Sequence, residues 1–348
     1  SAPSDPDFGL VGAQGGQSVS VPVPEQAVPG LYVMRVRDRS GYTADAPWIV
    51  THPQAPAAST YVFSWLTLAQ YNDWGGSSAY TLRTPAKPKP LRREEDTGPT
   101  DSVRWAMQTS LEKPWSDIKR LENGDFALIS WLESRGSNMD YTTDLDLDNQ
   151  SIRATNRLLI FGQHTEYLTE RARTYLAKLR HDGVNLAFIG ANNLFWRAHP
   201  LPEAARATVS QVDKRRSVPA TRDLFSGLGL NLREEDLTGT GTACVGVYGA
   251  RLTVANPGDP LFRGVPYFAQ IRVPGLFVHE VDNADQGARP ATRVLATSGT
   301  VSGCRPSQGR VPRAQMTMFT PRGEGKVFNA GGFGFACVVW SLQSCPAE

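Results

Sequence analysis

Residues 158–193, LLIFGQHTEYLTERARTYLAKLRHDGVNLAFIGANN, constrain the fold more than any other stretch of the chain. The apolar run Leu158 to Phe161 has the length and flanks of a buried strand. A helix follows, with Thr169 at its N-cap and Ala172, Tyr175, Leu176 and Leu179 at helical spacing. Asp182-Gly183 stops that helix, and Leu186 to Ile189 reads as the next strand. The strands of such a unit are parallel and its crossover is right-handed in nearly every case. Open parallel sheets bind ligands at the carboxyl ends of their strands. At those two ends sit His164-Thr165-Glu166 and Asn192-Asn193, a polar cluster that local propensity does not require.

The rest of the chain is read around this unit. Its 348 residues, 40% of them hydrophobic, suffice for a sizeable core in one large or two modest domains. Lysine and arginine number 36 against 34 acidic residues, so the charge implies no nucleic-acid or membrane partner. No run reaches the ~18 apolar residues that a membrane span needs. The sequence begins SAPSD, without Met, which reads as a processed or trimmed terminus. Cys244, Cys304, Cys337 and Cys345 lack the CxxC or Cys/His spacing of a zinc site. An even number in a chain rich in Pro and Gly points to two disulfides, expected as Cys244–Cys304 and Cys337–Cys345. That pairing would suit a secreted or cell-envelope protein. Four buried free thiols and a cytoplasmic location are the alternative.

Residues 1–53 read as β structure, with GQSVSVPVPE, GLYVMRVRD and APWIV as three strands. Three are too few for an immunoglobulin-like sandwich, so this is a partial β segment. Its completion by upstream residues, by a second chain or within a homo-oligomer is open. The second domain, 54–348, is expected to be α/β with a mainly parallel sheet flanked by helices. YVFSWLTLAQ is its first buried strand, and Ile118 to Glu133 a helix ending near Gly136. MDYTTDLDLDNQ is expected to be a strand running into an acidic loop. The aspartates 140, 144, 146 and 148 do not make a calcium loop, because Asn149 and Thr155 stand where Gly and Glu are required. Caps and turns suit them better.

His164 and Glu166 lie two apart beyond a strand end, where extended backbone turns both side chains to one side. Asn192 and Asn193 occupy the corner where α/β enzymes carry a nucleophile elbow, yet neither is a nucleophile. Hydrolysis here would have to activate water. The plainer reading of the two Asn is a tight turn and a cap. Tyr71 and Tyr80 flank a Gly-rich loop and suit either surface packing or metal binding. Two phenolates and a carboxylate are hard anionic donors that favour ferric iron over zinc or copper.

YNDWGGSSAY, DYTTDLDL, LLIFGQHTEY and GANNLFWR occur in the order and at spacings similar to those of the large-subunit catalytic domain of N,N-dimethylformamidase and its relatives. GLYVMRVRD with APWIV resembles the tail of the β-sandwich that precedes this domain, and GKVFNAGG its closing strand. The resemblance covers roughly Asp7 to Phe335. It implies a glutamine-amidotransferase-like α/β fold holding one ferric ion (Fe3+) through Tyr71, Tyr80 and Glu166. His164 and Asn192 would position the substrate carbonyl or bound water, and Glu280, in LFVHEVDN, would be the acid/base. The implied activity is metal-dependent hydrolysis of an amide or related C–N bond in a small molecule. Two other readings stand beside it: an exported binding or assembly protein without catalysis, and a sugar-active enzyme or lyase stacking substrate on Trp74 or Trp196.

Overall fold

The computed structural model describes residues 20–41, 43–51, 57–72, 78–80, 108–111, 115, 122–152, 157–162, 164–200, 209–211, 224–225, 232–248, 252–263, 270–271, 278–285, 289–301, 305–306 and 311–336. The chain opens on a hairpin, β1 (Gly30–Arg37) and β2 (Thr43–Val50), then enters β3 (Ser59–Phe63) and α1 (Trp65–Tyr71). After β4 (Gln108–Ser110), a π-helical turn, Glu122–Phe126, runs into α2 (Ala127–Ser134). Then come β5 (Met139–Thr143), α3 (Asp144–Asp148), β6 (Leu158–Phe161), β7 (Tyr167–Thr169), α4 (Glu170–His181) and β8 (Asn185–Phe188). Beyond them lie β9 (Trp196–Pro200), β10 (Val209–Gln211), α5 (Glu234–Thr238) and β11 (Gly241–Tyr248). The last strands are β12 (Leu252–Val254), β13 (Gln270–Ile271), β14 (Val278–Asn283), β15 (Thr292–Ser298), β16 (Arg305–Pro306), β17 (Gln315–Phe319) and β18 (Val327–Asn329).

The fold is α/β. Its central sheet has nine strands in the order β13-β12-β15-β17-β18-β8-β6-β3-β5. From β18 to β5 every pairing is parallel, and Leu159 lies between Thr60 and Leu186. From β18 to β13 every pairing is antiparallel, so β18 is the seam between two halves. Two smaller sheets, β4-β10-β9-β7 and β14-β11-β16, stand beside the central one. The parallel unit is as expected: β3, β6 and β8 are adjacent, and α4 lies between β6 and β8 in the chain. The Thr169 hydroxyl accepts from the Ala172 N–H at 3.0 Å, capping α4, and Gly183 ends it with φ +98°. Leu176 and Leu179 bury the inner face of α4 with Phe161 and Phe188, whose rings stack 4.7 Å apart. Each such side chain, fully buried, contributes about 1.5–3 kcal/mol.

Three local expectations are corrected. YVFSWLTLAQ is not one strand, for β3 ends at Phe63 and α1 begins at Trp65. A short apolar run fits either element, and here a distant acid decides: the Asp144 carboxylate accepts from the Leu66 N–H at 2.9 Å, in the first turn of α1. The acidic run after β5 is the helical turn α3 rather than a loop, with Thr143 and Asp146 forming a capping box. Residues 20–29, the described part of the first expected strand and its exit, carry no strand before Gly30. Pro22, Pro24 and Pro29 lack the N–H groups that a ladder needs.

The β1–β2 hairpin packs Leu31 and Ile49 against Tyr61, Phe63 and Tyr141 of the α/β core. No described helix is long and apolar enough to cross a membrane. Cys244 is fully buried in β11 and disulfide-bonded. Cys304, Cys337 and Cys345 lie outside the described residues, and so do both expected pairings, as does Trp74.

Candidate functional site

Glu166 is the centre of the site. It sits between the end of β6 and the start of β7, and its backbone is fixed before its side chain is considered. The Glu166 carbonyl accepts from the Phe195 and Trp196 N–H groups, at 3.0 and 2.9 Å. Neighbouring Leu194 N–H donates to the Thr165 carbonyl at 2.7 Å. The segment after β8 thus holds the segment after β6, and Glu166 is only 3% exposed.

Its two carboxylate oxygens face different surroundings. Toward Oε2 turn the Tyr71 hydroxyl at 2.8 Å, the Tyr80 hydroxyl at 2.6 Å and His164 Nε2 at 3.1 Å. Tyr71 is the last residue of α1, and its ring stacks on Tyr80 with centroids 4.1 Å apart. Oε1 instead accepts from the Trp196 indole N–H at 3.0 Å and the Asn192 side-chain amide at 3.2 Å. Two N–H donors therefore hold one oxygen and leave the other toward the phenols and the imidazole.

Asn192 adopts φ +53° at the corner after β8. Asn populates that region more readily than most side chains. The corner leads into a turn and then β9, so the expected strand-to-helix elbow is a strand-to-strand one. The Asn192 backbone N–H donates to Asp282 Oδ1 at 2.7 Å, and its Oδ1 accepts from the Thr242 hydroxyl at 2.8 Å. Its amide nitrogen is thereby aimed at Glu166 and also at Glu280 Oε1, 2.9 Å away. Glu280 and Asp282 come from β14, Thr242 from β11. His164 completes the ring. Its Nδ1 meets the Ala191 carbonyl at 3.0 Å, and its Nε2 lies 3.5 Å from Glu280 Oε2.

The site's electrostatics follow from two carboxylates enclosed with one imidazole. Burial lowers the pKa of His164, but Glu280 and Glu166 outweigh it and hold the imidazole up at about 9. Burial, reinforced by Glu166, pushes the Tyr80 hydroxyl well above its ordinary value. Asp282 is raised to about 6 by burial, against the opposing bonds from the Asn192 N–H and Asn329. A phenol in this setting keeps its proton unless a cation takes the proton's place on the oxygen, and the cluster of acceptor oxygens suits a cation. His164, Glu166 and Glu280 each bring a donor atom within 4.8 Å of the others, a group that could hold a metal ion. The Tyr71 and Tyr80 oxygens adjoin the same Glu166 oxygen, so the two donor sets share that residue.

All six residues singled out in the sequence meet here: Tyr71, Tyr80, His164, Glu166, Asn192 and Glu280. Trp196 was expected either to stack on a sugar or to pack in the core. It is 3% exposed, with its indole bonded to Glu166, and so offers no open face. Tyr167 and Asp282 lie in the motifs LLIFGQHTEY and LFVHEVDN but were given no role there, and Thr242 had no motif to mark it. Asp282 might have been found from its place two residues after Glu280 on one strand, which puts both side chains on one face.

A buried carboxylate ringed by phenols, an imidazole and an amide beyond the ends of a parallel sheet defines an α/β protein with a candidate metal centre. The sequence matches the family described as N,N-dimethylformamidase beta subunit-like, C-terminal, over residues 2–346, and the chain belongs to that family. No curated protein matches it. Among solved structures it is similar to that titled "Crystal structure of SMU.1228c", at 11% identity, covering 60% of this chain and 71% of that one, with a TM-score of 0.30. A likeness so slight carries no argument.

Proposed function

We propose that the chain is a metal-dependent hydrolase of an amide or related C–N bond, with Tyr71, Tyr80 and Glu166 holding a single ferric ion. The observation that carries this reading is the convergence of both phenol hydroxyls on Glu166 Oε2 while Trp196 and Asn192 occupy Oε1. Three hard oxygen donors with up to three negative charges fit a trivalent hard cation better than a soft one. Bound there, such an ion supplies Lewis acidity, polarising an amide carbonyl and acidifying water.

The chain's own residues supply the rest. The Asn192 amide, fixed by Thr242 and Asp282, spans Glu166 Oε1 and Glu280 Oε1 and so sets the two carboxylates relative to each other for positioning the substrate carbonyl or bound water. Glu280, across from it, accepts a proton or returns one to the leaving amine. His164 lies between Glu166 and Glu280, where it can pass a proton between them or orient the substrate. The Tyr71–Tyr80 stack and Phe333, whose ring meets His164 edge-on at 5.0 Å, wall the cleft against bulk water. Export and association with a second chain or copy are part of the same proposal, resting on cysteine usage and on the short β segment.

The test is the iron content and visible spectrum of the purified protein, with turnover measured on a panel of small amides. Ferric phenolate absorbs visible light. A colourless protein that takes up no ferric iron defeats the reading. A protein that binds zinc through His164, Glu166 and Glu280 defeats the iron assignment alone.

A further inference from the structure

We infer that Tyr167 is a positioning residue: its hydroxyl donates a hydrogen bond to the Tyr80 oxygen and so tunes that oxygen as a metal donor. This deepens the proposed function and rests on it. The hydroxyls of Tyr80 and Tyr167 are 2.5 Å apart, and either could donate by distance alone. The surroundings decide the direction. Tyr80 has one proton, and its hydroxyl points at Glu166 Oε2, 2.6 Å away. A carboxylate can only accept, so that proton is committed to Glu166 and the Tyr167 proton must serve the Tyr80 oxygen.

Three features make this more than a packing contact. Tyr167 is fully buried, so no water competes for its proton. Its ring is clamped, standing edge-on to Tyr80 at 6.4 Å and stacked on Trp196 at 6.5 Å. Its backbone is clamped too, for the Tyr167 N–H donates to the Thr67 hydroxyl of α1 at 3.1 Å. Tyr167 directly follows Glu166, and its ring lies against the Trp196 ring that holds Glu166 Oε1. One rigid unit therefore sets both the carboxylate and the hydrogen bond on the neighbouring phenol.

When Tyr80 becomes a phenolate, the same contact becomes a charge-assisted O–H···O bond, the stronger kind. Such a bond draws electron density from the phenolate oxygen and weakens its donation to the ion. Residues that bond to ligands tune affinity as well as orientation, by about 10–100-fold.

The experiment uses the full chain loaded with ferric nitrilotriacetate, comparing wild type with Tyr167→Phe. The substitution keeps the ring and removes only the hydroxyl. Iron stoichiometry should stay at one per chain, while the phenolate-to-iron band moves to longer wavelength and iron is lost to a competing chelator more slowly than from the wild type. A merely structural tyrosine would not move the band. If Tyr167→Phe does not fold, the shift of the wild-type phenolate-to-iron band on exchange from ordinary to heavy water is the second readout, and a band that does not move overturns the inference. An unshifted band at full iron content overturns the inference and leaves the metal site standing. A wild-type protein with neither iron nor band overturns the site reading, and this inference with it.

Discussion

The parallel half of the central sheet and the smaller antiparallel sheet β14-β11-β16 make different contributions to the cleft. The parallel half supplies groups that could hold an ion: Glu166 and His164 after β6, Tyr71 at the end of the helix that follows β3. The antiparallel elements add groups that orient and move protons. Glu280 and Asp282 stand on β14, paired antiparallel with β11, which carries Thr242. Asn192, after β8, joins the two sets through its contacts with Glu166, Glu280 and Asp282. In the proposed function binding falls to the parallel side and proton handling, His164 apart, to the antiparallel one, and the division can be tested by removing one side at a time.

The largest expected effect is that of Glu166→Gln. It keeps the size of the side chain and removes the charge shared by every donor. Metal content should fall to background and turnover should vanish with it, read by elemental analysis and activity on the same sample. Retained iron in an active Glu166→Gln protein would dissolve the division at its centre.

Glu280→Gln attacks the other side. Iron should remain and the visible band should hardly move, while kcat falls roughly 10²–10⁴-fold, the range for loss of a general acid or base. Loss of metal in this variant would assign Glu280 to the binding set and favour the His164–Glu166–Glu280 donor group instead.

Asn192→Ala should have a smaller effect than either, with metal retained and turnover lowered about 10–100-fold, as for other residues that orient a ligand. The split between kcat and KM sharpens the comparison. A fall in kcat alone marks a donor to charge that develops in the transition state, and a rise in KM alone marks ground-state binding.

The smallest effect on chemistry is expected from Asp125→Asn, below the parallel half. Asp125 belongs to the π-helical turn and accepts from the Tyr61 hydroxyl at 2.5 Å. Burial raises its pKa to about 6, against the opposing bond from Tyr61. The folded state therefore holds this proton more tightly than the unfolded state does. Its stabilising contribution is complete below the ordinary carboxyl pKa, near 4, and is lost as pH rises through about 6. Wild-type stability in urea should carry a downward component from pH 4 to 6, on the order of 3 kcal/mol at most. Asp125→Asn should remove that component, leaving those of the same sign from Asp144 and Asp282, which burial also raises. Equal pH slopes in the two proteins would show that Asp125 has the same pKa in the folded and unfolded states.

What could be read from the sequence follows the same division. The parallel unit obeys a local rule, so β6, α4, β8, the Thr169 cap and the Gly183 stop were all legible from apolar spacing and terminal residues. His164, Glu166 and Asn192 were legible because that rule says where strand ends fall. Tyr71 and Tyr80 stood out by residue type, but their pairing with Glu166, like the role of Glu280, needed the family resemblance, since nothing local brings a tyrosine at 71 toward a glutamate at 166. The site contacts of Tyr167, Trp196, Thr242 and Asp282 were not legible, for each acts across the fold. The break between β3 and α1 was missed for the same reason, because the Asp144 that caps α1 lies 78 residues from Leu66.

Gly162 shows how little slack surrounds the cleft. A Cβ on it would stand 2.0 Å from Asp125 Oδ1 and 2.2 Å from the Tyr61 hydroxyl, two residues before His164.

The hydrogen bonds around Glu166 and Asn192 have a further consequence, in time rather than in space. They join residues 95, 86 and 88 positions apart, from Tyr71, Tyr80 and Asn192 to their carboxylates. Closing loops of that length costs entropy before any contact repays it, and such contacts form late and slowly. The cleft is therefore a clasp fastened near the end of folding, when three remote stretches of chain have already arrived. No partly folded chain can own the cleft, and the exchange of its buried amide protons should follow the opening of the whole domain rather than that of any one strand.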